Sequence, residues 1–265
     1  MPWPEVRGAV PRYLAVGMTD LPDHDHWLTP SEAERLQGFP YAKRREEARL
    51  GRWTAKRAVA RALRLEEDTA ILRDLVIRNA SDGAPEVFFD GRRAPMSISM
   101  TDRADWAVCT VIGGDRPIGC DLELVEPRSS AFVADYFTSE ERADIEAAPH
   151  DHDLLANLIW SAKESALKVL RTGLRRDTRS VDVKIMSEEL DGGWRSLYVT
   201  TEEDSVFTGW WCRFGEFVFT YVSATGTVAP TSLIDPPPLE KATPSHSWMA
   251  EPRRSPPAGP LGPGR

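Results

Sequence analysis

Residues 160–170 read WSAKESALKVL, and residues 53–63 read WTAKRAVARAL. At an offset of 107 positions, Trp, Ala, Lys and Leu coincide at the first, third, fourth and last places. Thr54/Ser161, Ala58/Ser165 and Arg61/Lys168 are similar pairs. Upstream of each segment lies a second match, LTPSEAERL at 28–36 against FTSEERADI at 137–145, at an offset of 109. Each member opens with a Thr that can cap a helix and has a Glu three places on, Thr29/Glu32 and Thr138/Glu141. In that pattern the two side chains satisfy each other's free backbone N–H groups. Two matched segments in one order at nearly one offset predict two similar subdomains, 1–116 and 117–228, related by a pseudo-two-fold axis.

Around these segments the apolar spacing predicts long helices over 43–63 and 153–171. Strands are predicted at 75–78, 87–89, 96–100, 106–112 and 118–124, then at 181–186, 195–200, 207–214 and 216–223. Turn signals such as SDGAP, GGDRP and DGG separate them. One long helix followed by a run of hairpins in each half implies an α+β fold, each half a long helix on a small, mainly antiparallel sheet. Beyond residue 228 the chain turns Pro-rich. From Asp235 to the end it holds nine of the 21 prolines and almost no aliphatic residues. Such a composition cannot offset its ordering entropy, so 229–265 is expected to be a flexible tail, dispensable for catalysis.

Composition excludes several classes. The 265 residues carry 33 Lys+Arg against 41 Asp+Glu, a formal charge of −8, which argues against a general nucleic-acid binder. No apolar run approaches the roughly 20 residues that span a bilayer. The segment MPWPEVRGAVPRYLAVGM lacks a charged head followed by an apolar run, so no signal peptide is expected. Cys109, Cys120 and Cys212 have no disulfide or zinc spacing. A cytoplasmic globular protein is the expectation. No phosphate-cradling glycine loop and no G-x-S-x-G elbow is present. The five His residues lie in polar segments that read as loops.

Three features could carry chemistry. Asp121 and Glu123, in Ile118-Gly119-Cys120-Asp121-Leu122-Glu123, share one face of a strand, while Cys120 and Leu122 face the other. Two carboxylates on an otherwise apolar strand need a partner, either a hard cation such as Mg²⁺ or Lys and Arg side chains. Trp160, Glu164 and Lys168 stack at i, i+4 and i+8 of a helix, with Lys163 beside them. A solvated salt-bridged face would look the same, except that an indole is rarely left on one. The basic run Lys43-Arg44-Arg45, Arg49, Arg52, Lys56 could bind a phosphate or pair with Glu46 and Glu47.

Taken together, I-G-C-D-L-E (118–123), F-T-S-E-E (137–141) and W-S-A-K-E-S-A-L-K (160–168) resemble the Sfp-type 4′-phosphopantetheinyl transferases. That family is marked by a G-x-D-x-E strand and a W-x-x-K-E-[AS]-x-x-K helix. The upstream segment 43–56 and Ser97-Ile98-Ser99 resemble its N-terminal motifs more loosely. The resemblance implies the family's pseudo-dimeric fold in a monomer. It also implies Mg²⁺-dependent transfer of phosphopantetheine from coenzyme A to a serine of an acyl or peptidyl carrier protein, releasing 3′,5′-ADP. By that resemblance Asp121, Glu123 and Glu164 bind the metal, and Glu164 takes the serine proton. Lys163 and Lys168 hold the pyrophosphate, and Arg44 and Arg52 face the 3′-phosphate. Two departures stand out: Met100 and Ala84 occupy places where many members have His and Lys. Ser99 or Thr101 is then the expected substitute donor to coenzyme A. The alternative is a catalytically silent member that binds coenzyme A or docks a carrier protein.

Overall fold

A computed structural model describes residues 10–245. The N-terminal half runs through β1 (Arg12–Gly17), α1 (Pro30–Gln37), α2 (Ala42–Leu63), α3 (Thr69–Asp74), β2 (Leu75–Asn79), β3 (Pro85–Phe89), β4 (Arg92–Arg93), β5 (Met96–Arg103) and β6 (Trp106–Gly113). The C-terminal half follows with β7 (Ile118–Leu124), α4 (Ser130–Tyr136), α5 (Ser139–Glu146), α6 (His152–Val169), β8 (Val181–Glu189), β9 (Arg195–Thr201), β10 (Val206–Phe214) and β11 (Phe217–Ser223). A two-residue strand, β12 (Thr231–Ser232), comes last. The sheets have the orders β12-β1-β6-β5, β7-β11-β10-β9-β8 and β2-β3-β4. Every pairing is antiparallel except β1 with β12. The α+β class and both long helices agree with the sequence expectation.

The internal repeat has a physical core. Thr29 caps α1 and Thr138 caps α5, each with its Glu returning the hydrogen bond to the backbone. Both glutamates are buried, and each is met by the repeated lysine of the long helix: Lys56 Nζ lies 2.6 Å from Glu32, and Lys163 Nζ lies 2.8 Å from Glu141. The second oxygen of each Glu accepts a strand N–H, from Ile77 in one half and Val183 in the other. Lys56 also donates to Trp27 O, and Lys163 to Thr178 O and Val181 O. Every charge in these interior pairs is thus matched and hydrogen-bonded, the condition under which a buried ion pair is tolerated.

The repeat extends to a strand that the hydrophobic pattern did not reveal. β1 has five successive buried residues, Tyr13–Gly17, with no alternation to mark it. It lies inside its sheet between β12 and β6. At the same offset of 107 it corresponds to β7. Leu14 and Val16 enter the core beneath α2, while Tyr13 and Ala15 face the other side, where they join Cys120 and Leu122 in a core shared by the two halves. Aromatic side chains fill this shared core, with Tyr13 and Phe219 centroids 5.4 Å apart. Gly119 explains the glycine of the β7 motif: a Cβ there would fall 1.9 Å from Ser165 O of α6. The strand can lie this close to the helix only without a side chain at that point.

The expected tail boundary needs correction. Residues 229–245 are not a free tail. β12 extends the first sheet, Leu233 N donates to Tyr13 O, and Leu239 is fully buried in the shared core. A short run with one or two apolar side chains escapes a composition argument but can still anchor where a pocket receives it. The rest of the expected tail, 246–265, lies outside the described residues.

Candidate active site

β5 and β7 are the edge strands of two different sheets, and hydroxyls join them along a seam. Cys120 N donates to Ser99 Oγ at 2.9 Å, and Leu122 N donates to Thr101 Oγ1 at 3.3 Å. Thr101 Oγ1 in turn donates to Asp121 Oδ1 at 3.0 Å. The alternation of β7 then presents Asp121 and Glu123 to α6, whose successive turns carry Trp160, Glu164 and Lys168 on the same side. Trp160 Nε1 donates to Glu123 Oε1 at 3.1 Å, and Lys168 Nζ donates to Asp121 Oδ1 at 2.9 Å and to Cys120 O at 2.8 Å. The structure therefore brings together Asp121, Glu123, Glu164 and Lys168 as the sequence suggested.

Lys163 is not among them. It lies one residue from Glu164, but 100° around the helix, and is wholly buried in the pair with Glu141. The expectation that it faces a phosphate is corrected on that ground. Burial pulls its pKa down while Glu141 pulls it up, and the net shift is downward.

The carboxylates are crowded and half-dry. Burial, with Asp121 next, pushes Glu164 up to about 7, and the same two causes push Glu123 up to about 7. Burial depresses Lys168, but Asp121 and Cys120 outweigh it and hold the amine up at about 12. Arg103 Nε (3.1 Å) and Arg128 (3.0 Å) both reach Glu123 Oε2, and Arg103 also holds Glu126. Sequence reasoning passed over these two arginines. Arg103 could have been found from its place two residues after Thr101 on β5, whereas nothing local marks Arg128.

Asp121 Oδ2 is buried without a hydrogen-bond partner, which leaves one hard oxygen for a cation. The donor chemistry fits Mg²⁺. Among the described residues, however, no three His, Cys, Asp or Glu side chains form a ready ligand set. Both oxygens of Glu123 are occupied, one by two arginines and one by the indole. Completing a three-carboxylate site therefore requires Glu123 to release one of these partners.

A cleft of about 280 Å³ opens beside Lys168 between the two halves. Ala84, Ser99 and Met100 line it, and so do the cations Arg93, Arg116, Arg171 and Arg175. Ser99 is almost fully buried, and its hydroxyl already accepts the seam N–H. Asn79 and Met100 also line a second pocket of about 250 Å³, which holds Arg44, Arg52 and Asp102. Arg52 donates to Ile77 O at 2.6 Å, and burial lowers its pKa. Arg44, largely exposed, lies 3.1 Å from Glu47 and 3.8 Å from Asp102. Three other cations of the basic run are spent on the fold: Arg49 on Asp25 and Glu46, Arg45 on Phe39 O, and Lys56 on Glu32.

Comparison with known proteins bears on the C-terminal half. Residues 117–219 match the family model described as the 4′-phosphopantetheinyl transferase superfamily. The matched segment contains Asp121, Glu123, Glu164 and Lys168; Arg44, Arg52 and Ser99 lie outside it. A 4′-phosphopantetheinyl transferase of Bacillus subtilis is 29% identical over 113 residues, 40% of this chain and 49% of that one. The chain thus spans about half the length of the curated relative it matches. A holo-(acyl-carrier-protein) synthase from Bacillus anthracis, solved in complex with CoA (3′,5′-ADP), is 18% identical with a TM-score of 0.35 over 40% of this chain and 97% of that one. No helix among the described residues is long and apolar enough to cross a membrane.

Proposed function

We propose that this protein is an Sfp-type 4′-phosphopantetheinyl transferase, moving phosphopantetheine from coenzyme A to a serine of an acyl or peptidyl carrier protein and releasing 3′,5′-ADP. The observation that carries the reading is the convergence of Asp121, Glu164 and Lys168 within the segment that matches the superfamily model, with Lys168 lining a cation-rich cleft. Asp121, Glu123 and Glu164 would hold Mg²⁺. When bound, the ion neutralises charge on the transferring phosphoryl group. Lys168, now engaged with Asp121, donates to the diphosphate. Glu164, beside Asp121 and Lys168, accepts the proton of the attacking serine, directly or through a water. Arg44 and Arg52 face the 3′-phosphate from the second pocket, and Ser99 lines the nucleotide cleft.

Mass spectrometry of an apo carrier protein incubated with this protein, coenzyme A and Mg²⁺ tests the reading directly. Transfer adds the phosphopantetheine mass to the carrier. Asp121→Ala and Glu164→Ala should each lose at least about 100-fold in turnover, the scale of a lost charge-stabilising group. Near-wild-type rates in either variant would sink the assignment. Binding of coenzyme A with no mass added by the wild type would mark a silent member of the family.

A further inference from the structure

The correction at Lys163 leaves Lys168 as the lysine of α6 that faces the carboxylates, and a diphosphate needs more than one cation. The next cations on the same side of the chain are Arg171 and Arg175, three and seven residues beyond Lys168, in the turn that follows α6. Both line the cleft that Lys168 opens into. Arg171 takes a left-handed backbone (φ 58°) at the helix end, which folds the chain back over the cleft. Arg175 then donates to Arg171 O at 3.2 Å, which holds its guanidinium against the backbone of Arg171.

Facing them from the N-terminal half is Asp82, at the tip of the turn 80–84. Arg171 lies 3.2 Å from its carboxylate, and Arg175 donates to its backbone oxygen at 3.4 Å. The carboxylate also accepts the Ala84 N–H within its own turn. This bridge is solvated, with Arg171 and Asp82 side chains 41% and 36% exposed. An exposed carboxylate pair of that kind is weak, whereas a phosphate offers guanidinium groups shorter, forked, charge-assisted bonds. Five cations line the cleft against two acids, Asp82 and Asp115, in a chain whose overall charge is −8.

We infer that Arg171 and Arg175 exchange Asp82 for the 5′-diphosphate end of coenzyme A and, with Lys168, supply the cations that the sequence motif assigned to Lys163. The inference rests on the coenzyme A reading above. It makes the C-terminal half the reader of the diphosphate and leaves the 3′-phosphate to Arg44 and Arg52.

Calorimetric titration of the full chain with 3′,5′-ADP and with adenosine 3′-monophosphate tests it. The Arg171→Ala/Arg175→Ala variant should weaken 3′,5′-ADP about tenfold or more and leave the 3′-monophosphate within about twofold, because only the former carries a 5′-phosphate. Asp82→Asn, which removes the competing charge, should bind 3′,5′-ADP at least as tightly as the wild type. Unchanged affinity in the arginine variant, equal losses for both nucleotides, or weaker binding by Asp82→Asn would each overturn the exchange. Wild-type protein that binds neither 3′,5′-ADP nor coenzyme A with Mg²⁺ would overturn the coenzyme A reading itself, and the exchange with it. Melting temperatures equal to the wild type establish that the exposed substitutions leave the fold intact.

Discussion

The two halves share a scaffold but differ in what it presents. In the N-terminal half, Leu14 and Val16 of β1 lie against α2. In the C-terminal half the corresponding places on β7 are Asp121 and Glu123, against α6. The residue after the buried lysine changes sign as well, from Arg57 to Glu164. Arg57 and Arg61 both close on Glu67, and Arg57 also stacks over the Trp53 ring, so each of these cations has a partner. Glu164 and Lys168 face two further carboxylates and a cleft, and burial, with the Asp121 charge next, lifts two acids there to about 7. The same strand, capping box and buried lysine–glutamate pair can therefore carry a site in one half when three positions hold carboxylates in place of Leu14, Val16 and Arg57. The shared lysine–glutamate pair belongs to the scaffold, and the charges beyond it belong to the chemistry.

That division can be broken by experiment. The largest stability effect should come from removing one partner of either interior pair. Lys56→Met and Lys163→Met each strand a buried glutamate, at a cost of about 3–5 kcal/mol. Urea unfolding should give similar losses for the two, because the pairs are equivalent. A loss at one site alone would show that the repeat is not energetically symmetric.

A smaller effect sharpens the boundary of the shared core. Leu239 comes from the segment expected to be a tail, yet it is fully buried there. Leu239→Ala should cost about 2–4 kcal/mol, the range for a large-to-small change in a packed core. Ending the chain at Ser245 should leave the melting temperature unchanged, whereas ending it at Thr231 should lower it by several degrees. Equal melting temperatures for both would return the boundary to residue 229.

What the sequence disclosed follows from how local its signals were. The capping boxes, the helix stripe around Leu158 and Leu167 and the i, i+2 pair on β7 are short-range patterns, and the structure reproduces each of them. β1 escaped because a strand buried on both faces has no alternation to read. Lys163 was misplaced because adjacency in a motif is not adjacency on a helix: neighbours point 100° apart, and its true partner Glu141 sits 22 residues away. Arg128 reaches Glu123 only through tertiary folding. The engagement of Ser99 and Thr101 in the seam likewise depends on β5 meeting β7, which no local pattern encodes.

The most direct test separates Lys163 from Lys168 by their effect on transfer to an apo carrier protein. In Lys163→Met/Glu141→Gln both buried charges are removed together, and the glutamine oxygen keeps one of the two backbone N–H bonds that Glu141 accepts, so the double variant should lose less stability than Lys163→Met alone. Because that pair is scaffold, the double variant should transfer phosphopantetheine within a few-fold of the wild-type rate, while Lys168→Met should fall by about 100-fold or more. A folded double variant as inactive as Lys168→Met would contradict the account, for it would put Lys163 at the reacting phosphates.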